Sequence, residues 1–347
     1  MASKNIDPTW WVGLDVAKQT LEAAVHPPWQ PGMTVPFSDL RRQGFPRTRE
    51  GVGKMLAWLD SLGLEGDIRA VMEATGNYSI ELAGWLVSMR PELAPAIADP
   101  KKVSYFFKSL GLRSKTDRID AAALSRFGAE RVPTPWQPPT PEYAQLQQLS
   151  RQRTFIVEAQ VAARNRMDEI REAKAIVKFH QKHIDGLVKA QDEIEEAMRR
   201  HVETHAALQE AIARLDTIPG VGFITAATIL GELGDLTRFT SSRSLSAFSG
   251  TAPKLFDSGT SIKKKPRMSK QGSPRTRQAL YLAAMAAVRT GTNALARFYA
   301  AMVAKGKPKM AALGAVMRKL LVLMRALLVH GTCYRENSPE KNVFAAA

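Results

Sequence analysis

The sequence predicts an α/β domain at the N-terminus, a helical coiled-coil segment in the middle and a mostly α-helical C-terminal domain. Three observations carry this. Strand-like and helix-like patterns alternate over residues 1 to about 130, which argues for helices layered on a central sheet. Residues 131–141 then read Arg-Val-Pro-Thr-Pro-Trp-Gln-Pro-Pro-Thr-Pro, too proline-dense for a helix or a central strand. Over residues 142–216 proline disappears, apolar residues thin out and charges crowd in. The expected divisions are 1–141, 142–216 and 217–335, with 336–347 as a tail.

Trp10 to Val16 and Thr20 to His26 read as adjacent strands turning at Lys18-Gln19, and Pro31 to Leu40 as a third. Thr48-Arg49-Glu50-Gly51 opens a helix whose apolar residues Val52, Met55, Leu56 and Leu59 share one face. Ile68 to Met72 reads as a buried strand, Tyr78 to Met89 as a helix, Leu93 to Ala98 as a short strand and Lys101 to Leu110 as a helix. In the middle segment Leu146, Arg153, Gln160, Met167 and Lys174 fall at heptad position a, with Leu149, Ile156, Ala163, Ile170 and Val177 at d. A second register runs from Ile184 to Leu215, and the offset places a stammer or helix break around Lys178 to His183. Many seam positions are polar, so the segment reads as a locally paired coil or an antiparallel helical hairpin. The last region opens with a glycine-rich turn, holds a basic loop from Ile262 to Arg277, and closes with helices at Thr276 to Val288 and Lys309 to Val329.

With 347 residues the chain is long enough for two domains and a sizeable core. Its net charge of +16 points to polyanionic partners, nucleic acid first. The most apolar stretch, Leu313 to Val329, is broken by Arg318, Lys319 and Arg325 and is no membrane span. The first eight residues lack the apolar core of a signal peptide, and the single cysteine, Cys333, excludes an intrachain disulfide or a thiolate-rich zinc site. The expectation is an intracellular protein.

Four carboxylates carry the chemistry. Asp15 lies inside one apolar strand and Glu73 ends another, while Asp117 and Asp120 stand three residues apart, on one face of a helix. Singly each reads as a surface acid, cap or salt-bridge partner. Jointly they read as a site for hard divalent cations, because an uncompensated carboxylate in an apolar strand is costly to desolvate. Ile218-Pro219-Gly220-Val221-Gly222 has the form of a tight turn opening a helix, whose backbone N–H groups bind phosphate or whose glycines serve packing. Lys263, Lys264, Lys265, Arg267, Lys270, Arg275 and Arg277 form a basic run without an acid, suited to a phosphate backbone. Ser258 and Ser261, beside glycine and threonine, read from spacing alone as ordinary loop serines. His180, His183, His201 and His205 are spaced for a metal pair, but their register and charged neighbours favour polar core or surface.

The order Gly-Leu-Asp-Val-Ala-Lys, Met-Glu-Ala-Thr-Gly-Asn-Tyr, Lys-Thr-Asp-Arg-Ile-Asp-Ala, Ile-Pro-Gly-Val-Gly, Ser-Gly-Thr-Ser and Met-Ser-Lys-Gln-Gly-Ser-Pro-Arg-Thr-Arg resembles the DEDD insertion-sequence transposases. These are the bridge-RNA-guided recombinases of bacterial mobile elements, and the resemblance spans about residues 10 to 330. It implies an RNase H-like, RuvC-type fold for the N-terminal domain, with Asp15, Glu73, Asp117 and Asp120 binding magnesium, or manganese in its place. It implies a C-terminal transposase domain with Ser258 as nucleophile and Ser261 in reserve. Met268 and Ser273 depart from the residues usual in the family, and Lys263-Lys264-Lys265-Pro266 is unusually basic. The resemblance further implies donor and target DNA as substrates, a structured non-coding guide RNA, a dimer-to-tetramer assembly and a cytoplasmic, nucleoid-associated location. A Holliday-junction endonuclease using water, and a non-enzymatic nucleic-acid-binding protein, are the alternatives.

Overall fold

The computed structural model describes residues 9–111, 117–169, 174–258 and 262–336, and the chain divides into two compact units, Met1–Pro138 and Pro139–Ala347. The first unit runs β1 (Thr9–Val16), β2 (Thr20–His26), β3 (Arg41–Pro46), α1 (Arg49–Ser61), β4 (Asp67–Glu73), α2 (Asn77–Met89), β5 (Ala96–Ala98), α3 (Pro100–Ser109) and α4 (Asp117–Arg131). Its five strands form one mixed sheet in the order β3-β2-β1-β4-β5. β1, β2 and β3 pair antiparallel, whereas β1, β4 and β5 pair parallel. The tight turn after Ala17, whose N–H donates to Thr20 O at 3.0 Å, allows the first hairpin. The parallel β1–β4 pair needs a crossover, which α1 supplies.

Side-chain alternation gives the sheet two apolar faces. Val12, Leu14, Val16 and Met72 pack with Met55 and Leu59 of α1 and Leu82 and Leu86 of α2. Trp11 and Val71 pack on the opposite side with Val103 and Phe106 of α3 and Leu124 and Phe127 of α4. Burial on both faces explains why Ile68 to Met72 reads as a continuous apolar run.

Two sequence-based strands are corrected. The third strand forms at Arg41–Pro46 rather than Pro31 to Leu40, where Phe37–Asp39 is a short 3-10 turn. Pro31 and Pro36 cannot donate to a ladder, and the true edge strand hides its pattern behind exposed Arg41, Arg42 and Gln43. The strand expected from Leu93 begins only at Ala96, because Pro91–Leu93 is another 3-10 turn and Pro95 has no N–H.

The second unit contains α5 (Pro141–Asp168), α6 (Lys174–Glu203), α7 (Ala206–Asp216), α8 (Phe223–Leu233), α9 (Ser242–Ser249), β6 (Pro253–Ser258), β7 (Ile262–Met268), α10 (Pro274–Arg289), α11 (Ala294–Ala304) and α12 (Lys309–His330). α5 and α6 pack antiparallel: Arg153 pairs with Glu195 at 2.7 Å, and Gln160 donates to Leu187 O at 3.0 Å and to Gln191 at 2.9 Å. α6 runs unbroken through Lys178 to His183, so no helix break falls there. The two heptad registers lie for most of their length on different helices of this pair, and the second crosses into α7. His201 is buried polar core, with Nε2 2.9 Å from Glu142 O, and the ring of half-buried His205 lies 4.5 Å away at a tilt of 48°. The unit's apolar core joins Leu146, Met198, Leu208, Ile229, Leu280 and Leu320 across its helices. α12 contains the Leu313 to Val329 stretch, and among the described residues no helix is long and apolar enough to cross a membrane.

Candidate functional site

Strand register places two of the acids side by side. Gly13 pairs with Val71 and Leu14 with Met72 in the parallel β1–β4 ladder, so Asp15, next to last in β1, and Glu73, last in β4, stand side by side and point to the same face. Both are half-buried.

Close approach by α4 fixes what covers that face. A Cβ on Gly13 would lie 2.2 Å from both Ala121 O and Ser125 N, and one on Gly128 would lie 2.4 Å from the Trp11 ring. Contacts therefore step from residue 128 towards 121 of α4 as β1 advances from 11 to 13, so helix and strand run antiparallel. From Gly13 to Asp15 the strand advances about 6.6 Å, the rise of about four helical residues. The first turn of α4, with positions 117 and 120, thus reaches the sheet edge that carries Asp15. Asp120 is half-buried; the side chain of Asp117 lies outside the described residues.

Sequence reasoning missed Glu22. It pairs with Asp15 in the antiparallel β1–β2 register and with Gly44 on the edge strand, giving a row Gly44, Glu22, Asp15, Glu73 across four strands. A Cβ on Gly44 would stand 2.5 Å from Glu22 Oε1, so the absent side chain leaves room for that carboxylate. The signal was present: a turn at Lys18-Gln19 forces residues 15 and 22 opposite each other.

The row offers hard oxygen donors on one face, half-buried and at one edge, and that donor chemistry fits a divalent cation. Among the described residues no group of three or more His, Cys, Asp or Glu side chains stands close enough to hold a metal ion. Asp15, Glu73 and Asp120 each already have an interaction partner.

In the second unit the segment expected as a basic loop is a β-hairpin followed by a helix. Ser258 ends β6 in register with Ile262, while Lys263, Lys264, Lys265 and Arg267 lie on β7. The side chains of residues 255–266, and Ser261 altogether, lie outside the described residues. Lys270 holds a positive φ of 57° in the connection to α10. Arg275 and Arg277 lie in the first turn of α10; Arg277 donates to Gly272 O at 2.7 Å, and burial lowers its pKa. Ser273 caps α10 and donates to Glu232 at 2.8 Å, and Arg151 of α5 holds the same buried carboxylate at 2.7 Å.

Gly220 belongs to packing. Its φ is +84°, and a Cβ there would lie 2.4 Å from Ala283 O and 2.6 Å from Ala287 N on α10. Gly222 is exposed and caps α8, where the nearest atom to an added Cβ is 3.9 Å away.

Acids along one face of a mixed sheet, in a chain of net charge +16, are suited to chemistry on a polyanion. Residues 12–172 match the DEDD-type transposase of the IS110 family, and residues 212–300 match the IS116/IS110/IS902 family transposase. The chain thus carries two transposase domains of the IS110 family. It is 28% identical over 332 residues to the pilin gene-inverting protein of Moraxella bovis, covering 95% of this chain and 97% of that protein. It is 36% identical over 86 residues to the transposase of insertion sequence element IS1328 from Yersinia enterocolitica, covering 25% of this chain and 24% of that protein. DEDD-type transposase domains use divalent metal ions.

Proposed function

We propose that this chain is an RNA-guided recombinase that cuts and rejoins the DNA of its insertion sequence through Ser258. The observation that carries the reading is the placement of Asp15 and Glu73 at matched ends of parallel strands, with the first turn of α4 reaching the same edge. The strand order, with three antiparallel and three parallel members sharing β1, supports an RNase H-like, RuvC-type domain. Similarity over nearly the full length to a protein named for inverting a pilin gene supports rejoining rather than cutting alone.

In this reading Asp15, Glu73, Asp117 and Asp120 would hold magnesium, which would supply charge neutralisation at the scissile phosphate. Ser258 Oγ attacks phosphorus, its proton is lost, and the leaving strand departs as a hydroxyl-terminated end that takes up a proton. The phosphodiester energy is kept in a serine–DNA ester. A hydroxyl of the partner strand then attacks the same phosphorus and releases serine. Gly222 at the start of α8, together with Lys263, Lys264, Lys265, Arg267, Lys270, Arg275 and Arg277, would contact phosphates, leaving sequence choice to guide–DNA pairing. The long α5–α6 pair is the natural element for assembling subunits, so that the acids of one meet the serine of another.

The test is a denaturing gel of the full-length chain with its co-purifying RNA and element-end DNA. Wild-type protein is expected to form a covalent DNA adduct that Ser258→Ala loses while still binding RNA. Asp15→Asn is expected to lose adduct and cutting together. Cutting without any adduct in the wild type would assign the nucleophile to water and overturn the serine route.

A further inference from the structure

Beside the acid row, on the same face of the sheet, a cleft of about 260 Å³ is lined by Glu22, Leu40, Arg42, Gln43, Gly44 and Arg118. Register accounts for its wall. Arg42 pairs with Ala24 and Gly44 with Glu22, and Ala24 in turn pairs with Gly13, the residue pressed against α4. Buried Leu40, packed with Ala24, Ala121 and Ala122, provides an apolar floor. Arg118 enters from the first turn of α4, and both arginines are exposed. Among the described residues neither guanidinium makes an ion pair or side-chain hydrogen bond, although a carboxylate lines the same cleft.

Two exposed guanidiniums over an apolar floor suit an oxyanion whose oxygens accept from a planar fork, and a phosphodiester is the chemical match. The cleft lies one to two strands from Asp15, about 5–10 Å, the scale of one nucleotide step. We propose that this cleft binds a backbone phosphate of the DNA strand adjacent to the phosphate that the acid row engages. Arg42 and Arg118 are its positive jaws. Glu22, on the wall shared with Asp15, opposes the phosphate and limits how deeply it settles. The choice of DNA rests on the proposed role of the acid row; the existence of the site does not.

The test uses the full-length chain in chelator, with a fluorescein-labelled mixed-sequence single-stranded DNA oligonucleotide and an RNA of the same sequence. Anisotropy titrations across a potassium chloride series give the slope of log affinity against log salt. Arg42→Gln with Arg118→Gln is expected to flatten the DNA slope by about 0.7, the value for one phosphate on a single strand. Lys101→Gln with Lys102→Gln, an equal charge loss on exposed α3, is expected to leave the slope unchanged. Glu22→Gln is expected to tighten DNA binding severalfold, the opposite sign to the arginine pair. An unchanged slope in the arginine variant, an equal loss in the lysine variant, or a loss confined to RNA would overturn the assignment. Nothing is cut in this assay, so its result is independent of whether the acid row is catalytic.

Discussion

Replacing Gly13 with alanine adds one methyl group at the contact that seats α4 on the sheet. The new carbon would stand 2.2 Å from two backbone atoms of α4, whereas ordinary contact begins near 3.4 Å, so the helix must lift by about 1.2 Å. Backbone atoms cannot swing aside as a flexible side chain can. Overpacking of this kind costs about 1–3 kcal/mol, which for a unit of this size lowers the melting temperature by about 3–10 °C. The functional cost is larger, because a lift of about 1 Å at the first turn of α4 separates Asp117 and Asp120 from Asp15, and misplacement on that scale costs about 100-fold. The assay is a plasmid carrying the element ends, with rejoined junctions counted by quantitative PCR and circular dichroism as the check on folding. Gly84→Ala is the matched control, since nothing lies within 4 Å of its added carbon. A folded Gly13→Ala protein with wild-type junction counts would refute the reasoning that α4 delivers acids to the strand ends.

Gly220→Ala combines a positive φ with a clash against the α10 backbone and is expected to cost about 2–5 kcal/mol, whereas Gly222→Ala stays within about 1 kcal/mol; equal melting temperatures would remove the packing role of Gly220. Burial lowers the His26 pKa below 6.5, the Pro27 carbonyl opposes that shift, and the charge of Arg126 reinforces it. His26 therefore stays neutral in the fold while the unfolded chain takes up a proton first, so stability present above pH 6.5 is lost as pH falls below it. Melting curves of wild type and His26→Gln between neutral and acidic pH check this, and parallel pH slopes would sink it.

Much of the first unit was legible because its strands are buried on both faces and read as apolar runs, while Thr48, which accepts from Gly51 N–H at 3.0 Å, marks the start of α1. β3 was misplaced because an exposed edge strand of arginine, glutamine and glycine has no apolar signature. Glu22 was missed because register, not local pattern, makes it a neighbour of Asp15. In the second unit, polar residues at heptad positions were read as a weak seam, yet Arg153, Gln160 and Gln191 are the pairing groups between α5 and α6. The basic stretch before α10 looked like a loop since lysine-rich, proline-containing strands carry little β-propensity.

The most direct test of the account is the anomalous scattering of manganese in crystals of the full-length protein soaked with that ion. The account predicts a peak at the strand ends, between Asp15, Glu73 and the first turn of α4, that disappears in Asp15→Asn. Manganese bound only elsewhere, with those carboxylates turned away from one another, would contradict it.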